Sequence, residues 1–394
     1  MPDTVEIGAG KAGRRGYHLD DVAIVPTRRT RSSRDVSTTW QIDAFRFDIP
    51  VIAHPSDATM SPATVVGFGR LGGLGVLNAE GLWARFEDPA EHLASVPALA
   101  EEDLEVFLDD EEPQVEDWPR ATRLLQRLYA APVVPGLIEA RVREIREQGV
   151  TTAARLSPQH AMTLAPVLLD AGVDILVIQG TIVSAEHVAS EREPLNLKEF
   201  ITDLDVPVIV GGATTYQTAL HLMRTGAAGV IVGMGTDRAA TTEDVLGIQV
   251  PMATAISDAA AARRDYLDET GGRYVHVVAD GEIGRSGDLA KAVACGADAV
   301  MLGVALTGAT GLPGGGAWWE STAAHPTLPR GQVHPVGVSA SRGLGDLATI
   351  VRGPARDASG RSNLIGGLAR AMAKTGFCDL KDFQRVGLTV SGRR

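Results

Sequence analysis

Eight short apolar runs recur along the chain, each closing on glycine or a small polar residue: DIPVIAHP (48–55), GGLGVLN (72–78), TTAARLS (151–157), VDILVIQG (173–180), VPVIVGG (206–212), AGVIVGMG (228–235), YVHVVADG (274–281) and DAVMLGV (298–304). Apolar runs that are continuous rather than alternating are what strands buried on both faces require, which points to a parallel sheet covered by helices. Helix-like stretches lie between most of them. PGLIEARVREIREQG (135–149), TTYQTALHLMRTG (214–226) and SGDLAKAVACG (286–296) repeat apolar residues at helical spacing and close on a glycine suited to a helix C-cap. Eight strands with seven or eight crossover helices predict an α/β fold, a (β/α)8 TIM barrel rather than an open doubly wound sheet. The 44 glycines suit a fold with many strand-to-loop corners.

Three stretches break the rhythm and set the expected organisation. Residues 1–47 precede the first strand and carry the basic run TRRTRSSR (27–34); they are expected to form an arm or hairpin over the closed end of the barrel, the basic run being a solvated face. The barrel itself is expected over 48–311, interrupted after the second strand by 83–132. Ten of the nineteen residues from 100 to 118 are acidic, which reads as a mobile acidic loop with short helices. Beyond the eighth strand, 312–394 is a Gly/Pro-rich extension, suited equally to an active-site flap or an oligomer contact.

Charge and composition exclude several classes of function. The net charge of −12 opposes binding to a polyphosphate backbone, so nucleic acid is not expected as a partner. No apolar run approaches 18 residues, and the start of the chain lacks the apolar core of a signal peptide, so a cytoplasmic protein without a membrane partner is expected. The nine histidines contain no HExxH, and the two cysteines, Cys295 and Cys378, form no CxxC. Neither a zinc site nor a disulfide framework follows, and both thiols read as packing.

In a barrel of this kind the chemistry sits on the loops after the strand C-termini. Those corners are His54-Pro55-Ser56-Asp57, Gln179-Gly180-Thr181, Gly211-Gly212, the run from Gly233 and Gly235 to Thr242, Asp280-Gly281 and Gly303. So many glycines and backbone amides favour an anionic, phosphorylated ligand. Asp280, a carboxylate at the end of an apolar strand, is placed either to bind ribose hydroxyls or to orient its loop. Gly303 reads as a phosphate corner or simply a tight turn.

Taken in order, YHLDDVAIVP (17–26), PVIAHPSDATM (50–60), GGLGVLN, AGVDILVIQG, GGATTYQTALHLMRTGAAGVIVGMG, VPMATAISDAA (250–260) and VADGEIGRSGDLAKAVACGADAVMLG (278–303) resemble the IMP dehydrogenase and GMP reductase family. The resemblance covers most of 17–311. It implies a (β/α)8 barrel, usually tetrameric, that binds a purine mononucleotide (IMP, XMP or GMP) at the strand C-termini with NAD or NADP beside it, and no metal beyond a monovalent cation. Ser56, Arg238, Asp280, Gly281 and Gly303 are then the expected nucleotide contacts, and Gln179, Gly180, Gly233 and Gly235 the expected cofactor contacts. The acidic stretch 83–132 stands where most dehydrogenases of the family carry a paired CBS module and is too short to hold one.

The family's covalent chemistry depends on a loop cysteine that attacks purine C2, because a thiolate both adds to the ring and leaves again. Ala240 occupies that position here, and Thr242 keeps the threonine two residues later. Gln179 matches an acidic residue that helps hold the cofactor ribose, and Val304 follows Gly303 where a serine is usual. Two readings stay open: an NAD(P)-linked oxidoreductase of purine nucleotide metabolism, or a catalytically inactive relative acting as a nucleotide-binding regulator or partner of a purine enzyme.

Overall fold

A computed structural model describes residues 4–108, 119–185, 195–235, 242–320, 333–336 and 344–391. Eight parallel strands close into a barrel: β1 (Val51–Ala53), β2 (Leu74–Asn78), β3 (Ala153–Leu156), β4 (Ile175–Gln179), β5 (Val208–Ala213), β6 (Gly229–Val232), β7 (His276–Ala279) and β8 (Ala299–Leu302). Each falls within one of the eight apolar runs, except that β5 extends one residue past its run, to Ala213. Ladders join them in sequence, and Val300 opposite Val51 closes the ring between β8 and β1. Apart from the half-buried His276, every residue of these strands is buried, which is why the sequence reads as continuous apolar runs.

The helices follow from local chemistry. Tyr216–Arg224 starts from a Thr215/Thr218 capping box, and Met252–Thr270 stops at Gly271 in the left-handed region. The three glycines expected to close helices, Gly149, Gly226 and Gly296, all have positive φ, at 71°, 99° and 121°.

At the closed end a hairpin, Trp40–Ile42 paired with Phe45–Phe47, plugs the barrel. Trp40 stacks on Phe47, and its indole N–H donates to His276 Nδ1 at the start of β7 (3.2 Å). Val22–Ile24 pairs with Leu388–Val390, so the two ends of the chain are tied together. A second hairpin, Thr4–Gly8 with Lys11–Arg14, is exposed on almost every residue and is anchored by Arg14 on Asp258.

The stretch after β2 carries the short helices expected there, and they pack on a core of their own. Ala90–Leu93, Val96–Leu108 and Arg120–Tyr129 are helices, and Leu93, Val96, Ala100, Ala121 and Leu125 form a buried cluster with Trp318 and Trp319 that is separate from the main core. The apolar repeats flank the charge run, with Leu93, Val96 and Ala100 leading into it and Ala121, Leu124, Leu125 and Leu128 following it at helical spacing. Residues 109–118, half of the acidic run, lie outside the described residues.

Candidate functional site at the barrel mouth

At the C-terminal ends of the strands, His54, Asp280, Gly281, Met301, Gly303, Trp318 and Glu320 line a narrow cleft. Asp280 and Gly281 follow β7, Gly303 follows β8, and His54 follows β1. Asp280 is buried, and its Oδ2 accepts a hydrogen bond from Gln179 Nε2 (3.0 Å). That bond fixes the Gln179 amide and turns its Oε1 away. This oxygen is buried with no hydrogen-bond donor among the described residues.

His54 is the centre of the cleft. Its Nε2 lies 3.4 Å from Glu320 Oε2 and 3.9 Å from Asp280 Oδ2. Burial, and then the charge of Arg155, push the imidazole down to about 3, so the ring is neutral. The carboxylate approaches are therefore contacts with a polar neutral ring, not ion pairs. With Nε2 facing the two carboxylates, the tautomer consistent with the network carries its proton there and leaves Nδ1 a buried acceptor without a donor. The His54 ring packs against Trp318 in a T-shaped contact, with ring centroids 5.4 Å apart.

A polar layer lies behind the cleft. Arg155, buried in β3, donates to the Gln179 carbonyl from Nε (3.1 Å) and Nη2 (2.7 Å), and reaches Glu80 Oε2 at 3.4 Å. Glu80 also accepts from the Ser157 hydroxyl (2.9 Å), the Ser157 amide and His160. Burial opposes ionisation of Glu80, but Arg155 and these hydrogen bonds outweigh it and hold the carboxyl below its ordinary value. Asp57, fully buried, accepts from Tyr129 and from the Leu82 amide (3.0 Å).

The expected site residues divide clearly. Asp280, Gly281, Gly303 and Gly235 line the cleft. Gly233 adjoins it: its φ is 117°, and a Cβ there would run into the Asp280 carbonyl. Gln179 reaches the site through Asp280. Gly180 exchanges backbone hydrogen bonds with Gly211 (3.0 Å) and Gly212 (3.1 Å). Ser56 does not line the cleft, because its hydroxyl donates to the Trp319 carbonyl at 2.7 Å. Thr242 is buried at the head of the helix Thr242–Leu246 and does not line it either. Arg238 and Ala240 lie outside the described residues.

Arg155, Glu80, Trp318 and Glu320 were not singled out from sequence, and His54 was named only as part of the corner after the first strand. Arg155 had a signal, a charged side chain inside an apolar strand. Glu320 had none, because its place depends on how the chain returns after β8. Among the described residues, no group of three or more His, Cys, Asp or Glu side chains could hold a metal ion, and no helix is long and apolar enough to cross a membrane.

The arrangement presents a buried carboxylate and glycine corners where a ligand can approach backbone, with the Gln179 Oε1 and His54 Nδ1 acceptors fully buried. Comparison with known proteins places this geometry in context. Residues 16–325 match the IMP dehydrogenase / GMP reductase domain. An uncharacterized oxidoreductase of Mycolicibacterium smegmatis is 60% identical over 98% of this chain and 99% of its own length. An inosine-5'-monophosphate dehydrogenase of Thermoplasma acidophilum is 27% identical over 95% of this chain and 91% of its own. The crystal structure of an IMP dehydrogenase/GMP reductase-like protein from Corynebacterium glutamicum superposes with a TM-score of 0.89 at 52% identity, covering 98% of each chain.

Proposed function

The chain belongs to the IMP dehydrogenase / GMP reductase family, and on that premise we propose that it binds a purine mononucleotide, IMP, XMP or GMP, across the strand C-termini. The observation that carries this reading is Asp280, a buried carboxylate on the cleft wall between His54 and the Gly281 and Gly303 corners. A carboxylate held in this way accepts from a ribose diol at little reorganisation cost. Within the reading, 1–47 is the arm, 48–311 the barrel and 312–394 the extension of a cytoplasmic homotetramer; light scattering on the purified protein tests the assembly.

NAD or NADP is the cofactor of this reading, and Gln179 Oε1 is an acceptor that a ribose hydroxyl would satisfy. Gly180 leaves room beside it, since a Cβ there would meet only ordinary contacts at 3.5 Å. The nicotinamide, when bound, supplies the hydride donor or acceptor. The chain's own residues bind and orient: Asp280 holds hydroxyls, Gln179 links the two ligands, and the neutral His54 adds no competing charge.

A second reading is favoured by Ala240. A methyl group cannot form the covalent purine adduct, so a catalytically inactive, nucleotide-binding relative fits the loop better than a turnover enzyme. Absorbance at 340 nm with IMP plus NAD, and with GMP plus NADPH, separates the two: sustained turnover supports the oxidoreductase, and silence with retained IMP binding supports the regulator. Ala240→Cys alone is expected to leave both assays at background, because Gln179 and Val304 also depart from the family pattern; strong turnover in this single variant would refute that. Asp280→Ala is expected to weaken IMP binding at least tenfold, since a buried hydroxyl pair loses its acceptor. Unchanged affinity by calorimetry removes Asp280 from the site.

A further inference from the structure

We propose that the segment 312–320 is a built-in occupant of the mouth, with the Trp318 indole standing on the Gly303 corner that a nucleotide phosphate needs and the Glu320 carboxylate over the neighbouring Gly235, so that a mononucleotide binds by exchange with this segment. The inference rests on the nucleotide reading above and assigns a regulation to the same site.

The two corners are covered by different groups. A Cβ on Gly303 would run into the six-membered ring of Trp318, so the indole lies directly on that corner. A Cβ on Gly235 would come within 2.9 Å of Glu320 Oε1, so a carboxylate stands over the loop that follows β6. His54 touches both, with a T-shaped ring contact to Trp318 and its Nε2 3.4 Å from Glu320. A phosphate and the Trp318 ring cannot share the Gly303 corner, and the Glu320 carboxylate takes the place over Gly235, so the segment has to move before a nucleotide seats.

The segment is seated, not loosely draped. Trp318 and Trp319 are both buried, and Trp318 exchanges two backbone hydrogen bonds with His334 (2.8 and 2.9 Å). Ser56 holds the Trp319 carbonyl, and the Trp319 indole donates to the Tyr129 hydroxyl at 3.1 Å. Through Tyr129 the helices after β2 press on the flap from outside, which gives that insertion a role. The seat is nonetheless imperfect, because the Trp318 indole N–H is buried without an acceptor among the described residues, and such a group bears its full desolvation cost. Gly311, Gly315 and Gly316, all at positive φ, lie just before the tryptophans and can absorb the backbone rotation that release requires.

The test uses the full chain, with IMP and GMP titrated into wild type, Glu320→Gln and Trp318→Ala, and hydrogen exchange of the 312–320 amides followed with and without nucleotide. Glu320→Gln keeps the shape of the seat and guards against a Trp318→Ala variant that fails to fold. At least tenfold tighter IMP binding in Glu320→Gln, together with faster exchange of 312–320 in wild type when IMP is added, is the expected result. Equal IMP affinity in all three proteins with an unchanged exchange pattern overturns the exchange mechanism and leaves the nucleotide reading standing. No mononucleotide binding in any of the three overturns both.

Discussion

Asp298→Ala should cost about 3–5 kcal/mol of folding stability while leaving the nucleotide affinity of the folded protein unchanged. Asp298 is 2% exposed and sits just before β8, at the closed end of the barrel. It accepts from Arg263 Nη1 (2.6 Å), the Tyr274 hydroxyl (2.7 Å), the Val277 amide (2.9 Å), Lys381 Nζ (2.9 Å) and Gln384 Nε2 (3.1 Å). One carboxylate thus joins the helix Met252–Thr270, β7, β8 and the C-terminal helix Leu380–Phe383. Removing it strands the buried Arg263 guanidinium, and an unpaired buried charge is far costlier than the pair is worth. Urea unfolding of the two proteins reads the difference, and a loss below about 1 kcal/mol would refute the account. Asp280 is the counterpart at the other end of the strands. Its replacement should lower affinity with a smaller change in stability, as expected where one end of a barrel carries chemistry and the other carries structure.

The eight strands were legible because burial on both faces leaves no room for polar alternation, so the fold's most demanding requirement is written as continuous apolar runs. Asp280, Gly281 and Gly303 were legible for the same reason, being the first residues after those runs end. What depends on the chain returning from a distance was not. Ser56 and Gly303 were read as free to meet a ligand, but the segment carrying Trp318 and Trp319 takes the hydroxyl of Ser56, 263 residues back along the chain, and folds over Gly303 shortly after β8. The acidic stretch misled in another way. Glu102 and Glu105 are exposed on the helix Val96–Leu108, while Asp103 is buried against the Arg120 and Ala121 amides; the apolar side of the helix is completed by the tryptophans of the flap, and half of a hydrophobic cluster reads as a polar loop.

Asp57, in the contact between that insertion and the barrel, predicts how stability depends on pH. Burial raises its carboxyl from the ordinary 3.8 to about 6, against the opposing hydrogen bonds from Tyr129 and the Leu82 amide. Between about pH 4 and pH 6 the folded protein therefore holds a proton that the unfolded chain has lost. Stability falls with rising pH wherever the folded state binds more protons, so Asp57 should withdraw stability across this window and no further above it. At 1.36 kcal/mol per unit the shift makes about 3 kcal/mol. The comparison is wild type against Asp57→Asn by urea unfolding from pH 4 to 8. The Asn variant should gain on wild type by roughly this amount between pH 4 and 6 and run parallel to it afterwards; any fixed cost of the new amide shifts the curve without tilting it. Parallel curves across the whole range would mean that Asp57 ionises in the folded protein at its ordinary value, with the hydroxyl of Tyr129 and the amide of Leu82 sufficient to hold the charge.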